Sequence, residues 1–268
     1  MLEEMLINVQ CNCPIVHNIT NYVSANDCAN LLLAVGASPI MADCLFEVEE
    51  ITSACDGLVL NMGILNEQKL EAMILAGKKA NFLGHPVVLD PVGVGTSSFR
   101  AQGLKKILNE VHVSVVRGNL SEIKFLANLT EYSRGVDLNQ EDKDEDLKNI
   151  ISYIKDLSYK LNSILVISGS TDLIVDHDRV CFVQNGNEML SRVTGTGCQL
   201  SSLLGAMISA NPNSIFESCI AGVCMMGIAG EKAYEHSQGT ASFKVNVMDV
   251  ISCMTPEDLR QGARYEIQ

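Results

Sequence analysis

The chain has 268 residues, 47% hydrophobic and 19% charged, which excludes a disordered polymer and leaves room for one large α/β domain over 1–268. Its 19 basic and 32 acidic residues give a formal charge of −13 with no basic run, so nucleic acid and anionic membrane are excluded as partners. Residues Met1–Gln10 lack a basic leader and every apolar stretch is broken before it could span a bilayer, so a cytoplasmic protein is expected.

Near the N-terminus stands Val16-His17-Asn18-Ile19-Thr20-Asn21-Tyr22-Val23, then an apolar helix over Asn26–Val35 and Gly36-Ala37-Ser38-Pro39-Ile40-Met41-Ala42-Asp43. His17, between apolar neighbours, reads as a structural residue rather than a base. Asn18, Thr20 and Asn21 order a substrate or cap the helix, and spacing alone does not decide. Wholly apolar runs at Leu58–Asn61, Val87–Leu89, Val113–Val116 and Ile164–Ile167 read as strands buried on both faces. Between them lie helical patterns at Asn66–Asn81, Phe99–Glu110, Ser121–Asn128 and Glu145–Leu161, with a polar connection expected at Glu131–Asp146. Strand and helix in alternation predict an α/β fold, a mostly parallel sheet covered by helices on both faces. A meander follows over Asp172–Val193, then two apolar helices at Cys198–Ala210 and Ser214–His236. The ten scattered cysteines read as small core residues of a reduced chain, and Cys11-Asn-Cys13 has no second pair at zinc spacing.

The chemistry gathers after the strands. Leu58–Asn61 runs into Met62-Gly63, and Val87–Leu89 into Asp90-Pro91-Val92-Gly93-Val94-Gly95. Val113–Val116 leads to Arg117-Gly118-Asn119 with Glu122 beyond, and Ile164–Ile167 to Ser168-Gly169-Ser170. Carboxyl ends of parallel strands share one edge, where open α/β folds bind ligands. Asp90, Arg117, Asn119, Glu122 and Ser168 therefore converge, and two carboxylates, a guanidinium and a hydroxyl suit Mg²⁺ with a nucleotide. Any one such loop also serves as a plain turn; four in register argue for a site. Val193-Thr194-Gly195-Thr196-Gly197-Cys198 opens a helix, and its glycines turn backbone N–H groups toward one point at the helix N-terminus. That is an anion hole for a transferring phosphoryl group, with Cys198 placed to meet the acceptor. The segment is neither a dinucleotide fingerprint nor a P-loop, because Leu200 occupies the third glycine position and no Gly-Lys-Ser/Thr occurs.

Five ordered motifs resemble those of hydroxyethylthiazole kinases, members of the ribokinase-like group: His17–Asn21, Ala37–Ala42, Asp90–Gly95, Arg117–Asn119 with Glu122, and Val193–Cys198. Gly239-Thr-Ala-Ser-Phe243 is similar to a sixth, and the likeness covers nearly the whole chain. The resemblance implies ATP-dependent phosphorylation of 4-methyl-5-(2-hydroxyethyl)thiazole in thiamine biosynthesis. It implies that Met41 and Gly195 contact the thiazole, with Asn21 nearby. Arg117 and Ser168 would contact ATP, with Asn119 added, and Asp90 and Glu122 the Mg²⁺ and its water shell. Cys198, Gly195 and Gly197 would form the catalytic turn, and a homotrimer would place the thiazole pocket between subunits. Three departures stand out: Cys198 where the wider group usually has Asp, Ser168 for a usual Thr, and Ala241 for a usual Gly. The rival readings are a related kinase acting on a hydroxymethylpyrimidine, pyridoxal or a sugar, and a non-catalytic binder of thiazole or nucleotide. A dehydrogenase is more distant, since the dinucleotide fingerprint is missing.

Overall fold

Runs at Gly57–Asn61 and Val87–Asp90 are buried at every position, as β-branched and leucine-rich strands must be when both sheet faces are covered. The computed structural model describes residues 1–129 and 143–268. In chain order come α1 (Leu2–Asn12), β1 (Ile15–Ile19), α2 (Ala25–Val35), β2 (Ser38–Met41), α3 (Val48–Ser53), β3 (Gly57–Asn61), α4 (Glu67–Leu83), β4 (Val87–Asp90), α5 (Ser98–Glu110), β5 (Val115–Asn119) and α6 (Leu120–Leu129). Then follow α7 (Lys143–Leu161), β6 (Ile164–Ser168), β7 (Asp172–Asp176), β8 (Arg179–Val183), α8 (Thr196–Ala210), α9 (Ile215–Glu235), α10 (Thr240–Cys253), α11 (Pro256–Gly262) and β9 (Tyr265–Ile267).

The strands form one sheet in the order β2-β1-β3-β4-β5-β6-β7-β8-β9. Strands β2 through β6 pair in parallel, and β7, β8 and β9 add an antiparallel wing. Side chains alternate between two cores. Val16, Val59, Val88, Val115 and Val166 meet α1, α2, α8, α9 and α10, whereas Leu58, Leu60, Leu89, Val116 and Leu165 meet α4, α5, α6 and α7. Helix α8 lies close on the sheet: a Cβ at Gly205 would stand 2.5 Å from Val59, and only glycine allows that approach. This seats the start of α8 over the carboxyl edge of the parallel strands.

The expected α/β sheet is present, with three differences of detail. Arg117, Gly118, Asn119 and Ser168 are the last residues of strands rather than loop residues, because β5 and β6 stay paired through Arg117↔Val166 and Asn119↔Ser168. Met41 ends an edge strand that the sequence conceals behind Pro39, a residue tolerated where one side of the ladder is free. Of the connection expected at Glu131–Asp146, Lys143–Asp146 belong to α7, and residues 131–142 lie outside the described residues. Among the described residues no helix is long and apolar enough to cross a membrane.

Candidate active site

Strand register brings Asn61 of β3 beside Asp90 of β4, both buried to within 1% of full enclosure. A carboxylate so placed needs donors, and it has them. Asn61 Nδ2 donates to Asp90 Oδ2 at 2.8 Å, Ser201 Oγ of α8 donates to the same oxygen at 2.7 Å, and an Arg117 Nη1 stands 3.9 Å away. Burial pushes the Asp90 carboxyl above the ordinary range, and Arg117, Ser201 and Asn61 pull it back. Asp90 Oδ1, equally buried, has no partner among the described residues.

The first turn of α8 lies directly over this carboxylate. Gly195 caps the helix at φ +88°, in the left-handed region that favours glycine. A Cβ at Gly197 would sit 2.5 Å from Arg117 Nη1, so the missing side chain admits the guanidinium against the helix start. Cys198 follows, half-buried, and its Sγ accepts from Asn21 Nδ2 at 3.4 Å and from Asn61 Nδ2 at 3.3 Å. Ser24 touches the other side of the turn: a Cβ at Gly195 would lie 3.2 Å from its Cβ, and its buried hydroxyl lacks a partner.

A cavity of about 580 Å³ opens beside this turn, lined by Arg117 and Ser168 together with Thr196, Leu200, Val223 and Met226. Arg117 Nη2 donates to Ser168 Oγ at 2.9 Å, and its buried Nε is unpartnered. A cation, helix amides and an apolar wall in one cavity suit a nucleotide carrying phosphates.

A sequence profile described as the hydroxyethylthiazole kinase family matches residues 6–257. The chain belongs to that family. A hydroxyethylthiazole kinase of Clostridium acetobutylicum is 49% identical over 271 residues, covering 99% of both chains. The solved structure of a hydroxyethylthiazole kinase protein from Pyrococcus horikoshii OT3 superposes with a TM-score of 0.89 at 34% identity, covering 100% of this chain and 98% of that one. A ribokinase-like superfamily protein from Enterococcus faecalis superposes with a TM-score of 0.65 at 12% identity, covering 97% and 95%, which shows the shared ribokinase-like fold.

In this hydroxyethylthiazole kinase family member, other expected residues fall differently. Glu122 spends both oxygens on backbone amides, of Gly93 at 2.9 Å and Asn119 at 2.9 Å, and so braces two strand-end loops. Asn119 Oδ1 accepts from Ser121 Oγ and Glu122 N, capping α6, and Asn119 does not line the cavity. Met41 lies 37% exposed at the sheet edge, paired with Asn18 of β1. His17 is buried between Thr52 Oγ1 at 3.0 Å and the Ala42 carbonyl at 2.9 Å, and burial lowers its pKa, so it holds a neutral, structural place as expected. Four residues escape sequence reasoning: Asn61, Ser201, Ser24 and Asp172. Asp172 begins β7, lines the cavity and accepts from Gly169 N at 2.9 Å, and burial pushes its carboxyl up to about 6. The sequence signal for Asn61 is a polar residue closing an otherwise apolar strand.

Proposed function

We propose that this site carries the γ-phosphoryl group of ATP, in line, to the primary hydroxyl of hydroxyethylthiazole, giving the thiazole phosphate and ADP for thiamine phosphate assembly. The observation that carries the reading is the meeting of Arg117, Asp90 and the Gly195–Cys198 turn, with Arg117, Thr196 and Gly197 lining one cavity. In the transfer the alcohol oxygen forms a bond to phosphorus, and the bond from phosphorus to the ADP oxygen breaks. The loose transition state spreads charge over the phosphoryl oxygens, which the first amides of α8 and Arg117 would offset. The alcohol proton passes toward Cys198, whose sulfur is held by Asn21 and Asn61.

The unpartnered Oδ1 of Asp90 fits the Mg²⁺ that accompanies ATP, which Asp90 would hold, and Glu122, whose oxygens accept from the amides of Gly93 and Asn119, would support it through water. Among the described residues no three acidic, Cys or His side chains cluster as a metal cage, which suits a cation held mainly by phosphate and water. Bound there, Mg²⁺ would offset phosphate charge. Arg117 and Ser168 hold the nucleotide, while Asn21, Gly195 and Met41 face the thiazole. Met41, Tyr22 and Phe46 are exposed along one edge, Phe46 to 97%, which supports a trimer whose neighbour completes the thiazole pocket. One sheet running from residue 15 to residue 267 supports reading 1–268 as a single kinase domain, and ten free cysteines suit the reducing cytoplasm.

ADP release with hydroxyethylthiazole as acceptor, in Cys198 variants, tests the mechanism. Cys198→Ala should lower kcat by about 10²–10⁴, the usual worth of a positioned acid–base group, and Cys198→Asp should preserve activity. An alanine enzyme within a few-fold of wild type would leave all the catalysis to the amides and refute a role for the thiol.

A further inference from the structure

Asn61 closes β3 and is 1% exposed, and four hydrogen bonds end on its one side-chain amide. Nδ2 donates to Asp90 Oδ2 at 2.8 Å and to Cys198 Sγ at 3.3 Å. Oδ1 accepts from Asn21 Nδ2 at 3.0 Å and from Gly63 N at 3.0 Å. A primary amide has two N–H donors and two lone pairs on oxygen, so its capacity is used in full. The orientation of the amide is fixed by its partners as well. The Gly63 N–H only donates and so requires the oxygen, while an ionised Asp90 only accepts and so requires the nitrogen.

The amide thus links three things that otherwise lie far apart in sequence: the strand-end carboxylate, the thiol at the start of α8, and the Asn21 loop. No other side chain among the described residues donates to both Asp90 and Cys198. Ser201 holds the carboxylate alone, and Asn21 holds the sulfur alone. Because Asn61 and Ser201 both occupy Oδ2, it is Oδ1 that is left free for a ligand. Truncating Asn61 would leave Asp90, Cys198 and Asn21 each short of a partner in a buried site, and each would be free to turn independently.

We propose that Asn61 is the positioning residue of the phosphoryl transfer, coupling the Cys198 sulfur to the Asp90 carboxylate so that the acceptor side and the phosphate side of the site keep one fixed spacing. This rests on the reading of Cys198 and Asp90 given above. In this reading Asn61 acts through those two groups, Cys198 on the acceptor side and Asp90 on the phosphate side. A strand-ending asparagine that only filled its own hydrogen bonds would, when removed, lower stability without singling out one kinetic constant or one cysteine.

The test is a double-mutant cycle on the full-length protein with Asn61→Ala, Cys198→Ala and the pair, reading kcat and the KM for ATP separately. Asn61→Ala should lower kcat by about 10²-fold, the scale of an ångström-sized misplacement, with the KM for ATP little changed. In the Cys198→Ala background the same change should cost no more than about twofold, since independent sites add and coupled ones do not. Losses that multiply would overturn the proposal, as would a rise in ATP KM matching the fall in kcat. A wild-type kcat for Cys198→Ala alone would instead remove the underlying reading of the thiol. A second readout needs no turnover: the rate at which iodoacetamide labels Cys198, resolved by peptide mass spectrometry with exposed Cys253 as internal reference. Asn61→Ala should change the Cys198 rate several-fold and leave Cys253 unaltered, and a Cys198 rate equal to that of wild type would overturn the coupling. Asn61→Ser keeps a small donor and serves if the alanine protein fails to fold; the same pattern at smaller amplitude is expected.

Discussion

Gly197→Ala separates stability from nucleotide binding in a way that follows from one distance. Gly197 is helical, in the first turn of α8, where alanine is favoured over glycine by about 1 kcal/mol. The added Cβ, however, would stand 2.5 Å from Arg117 Nη1 and 3.0 Å from Nη2. A guanidinium on a free side chain would move aside at little cost. Arg117 is not free: Nη2 is held by Ser168 at 2.9 Å, Asp90 lies 3.9 Å from Nη1, and the side chain is only 13% exposed. The methyl therefore displaces the guanidinium from its place in the cavity. A charge-assisted hydrogen bond to phosphate is worth about 1.5–3 kcal/mol, so ATP should bind roughly 10- to 150-fold more weakly. The protein itself should melt within a few degrees of wild type, because the helix gain opposes the packing strain. Isothermal titration of ATP into the variant, beside a thermal melt, gives both quantities. Normal ATP affinity would show that Arg117 does not meet the phosphates, and a large loss of melting temperature would show that Arg117 cannot yield at all.

Asp172 carries a pH signature. Its folded pKa of about 6 lies above the ordinary 3.8, so the proton is held more tightly in the folded chain, and stability from this group declines as pH rises from about 4 through 6. Asp172→Asn keeps an acceptor for Gly169 N and should be more stable than wild type at pH 7.5 by up to ~3 kcal/mol, with no gain near pH 4. Urea melts at the two values check this, and an equal difference at both would refute it. The trimer is tested by light scattering: Phe46→Asp, at a side chain 97% exposed in the single chain, should yield smaller particles and a raised KM for the thiazole. A fully active wild-type monomer would refute the shared pocket.

Much of the fold is legible in the residues because buried parallel strands leave a plain mark. Leu58–Asn61 and Val87–Leu89 are apolar at nearly every position, and the strands lie there. Elements at the margins are harder to read. β2 has Pro39 inside it, and β9 is three residues long and exposed throughout, so neither carries an apolar run. Helix α1 does carry a signal, since its buried Leu2, Met5, Leu6 and Val9 recur at helical spacing, but a polar, acidic start masks it. In the site, Asp90, Arg117, Ser168, Gly197 and Cys198 are visible because charged residues and glycines after apolar runs are conspicuous. Asn61 and Ser201 are not, because a neutral amide or a hydroxyl gains its meaning only from what the register sets beside it, and Asp172 is hidden because it opens its strand instead of closing one. Asn119 and Glu122 show the converse: conspicuous by position, yet engaged with each other's backbone around the start of α6.

The buried carboxylate explains why this edge is built as it is. An ionised side chain removed from water costs several kcal/mol unless hydrogen bonds and an opposite charge offset the loss. Here the donors come from β3 and α8 and the opposite charge from Arg117 of β5, three elements that meet only when the sheet is complete. The offset is one-sided, since Oδ2 takes every donor and Oδ1 none, so part of the desolvation cost remains in the free protein. A ligand bearing positive charge or a bound water relieves that cost on arrival, and its binding is strengthened by the same amount. Helix α8 could not supply both Ser201 and the Gly195–Cys198 turn unless Gly205 let it settle onto Val59. A buried glycine in the middle of the helix thereby sets where the Gly195–Cys198 turn can stand.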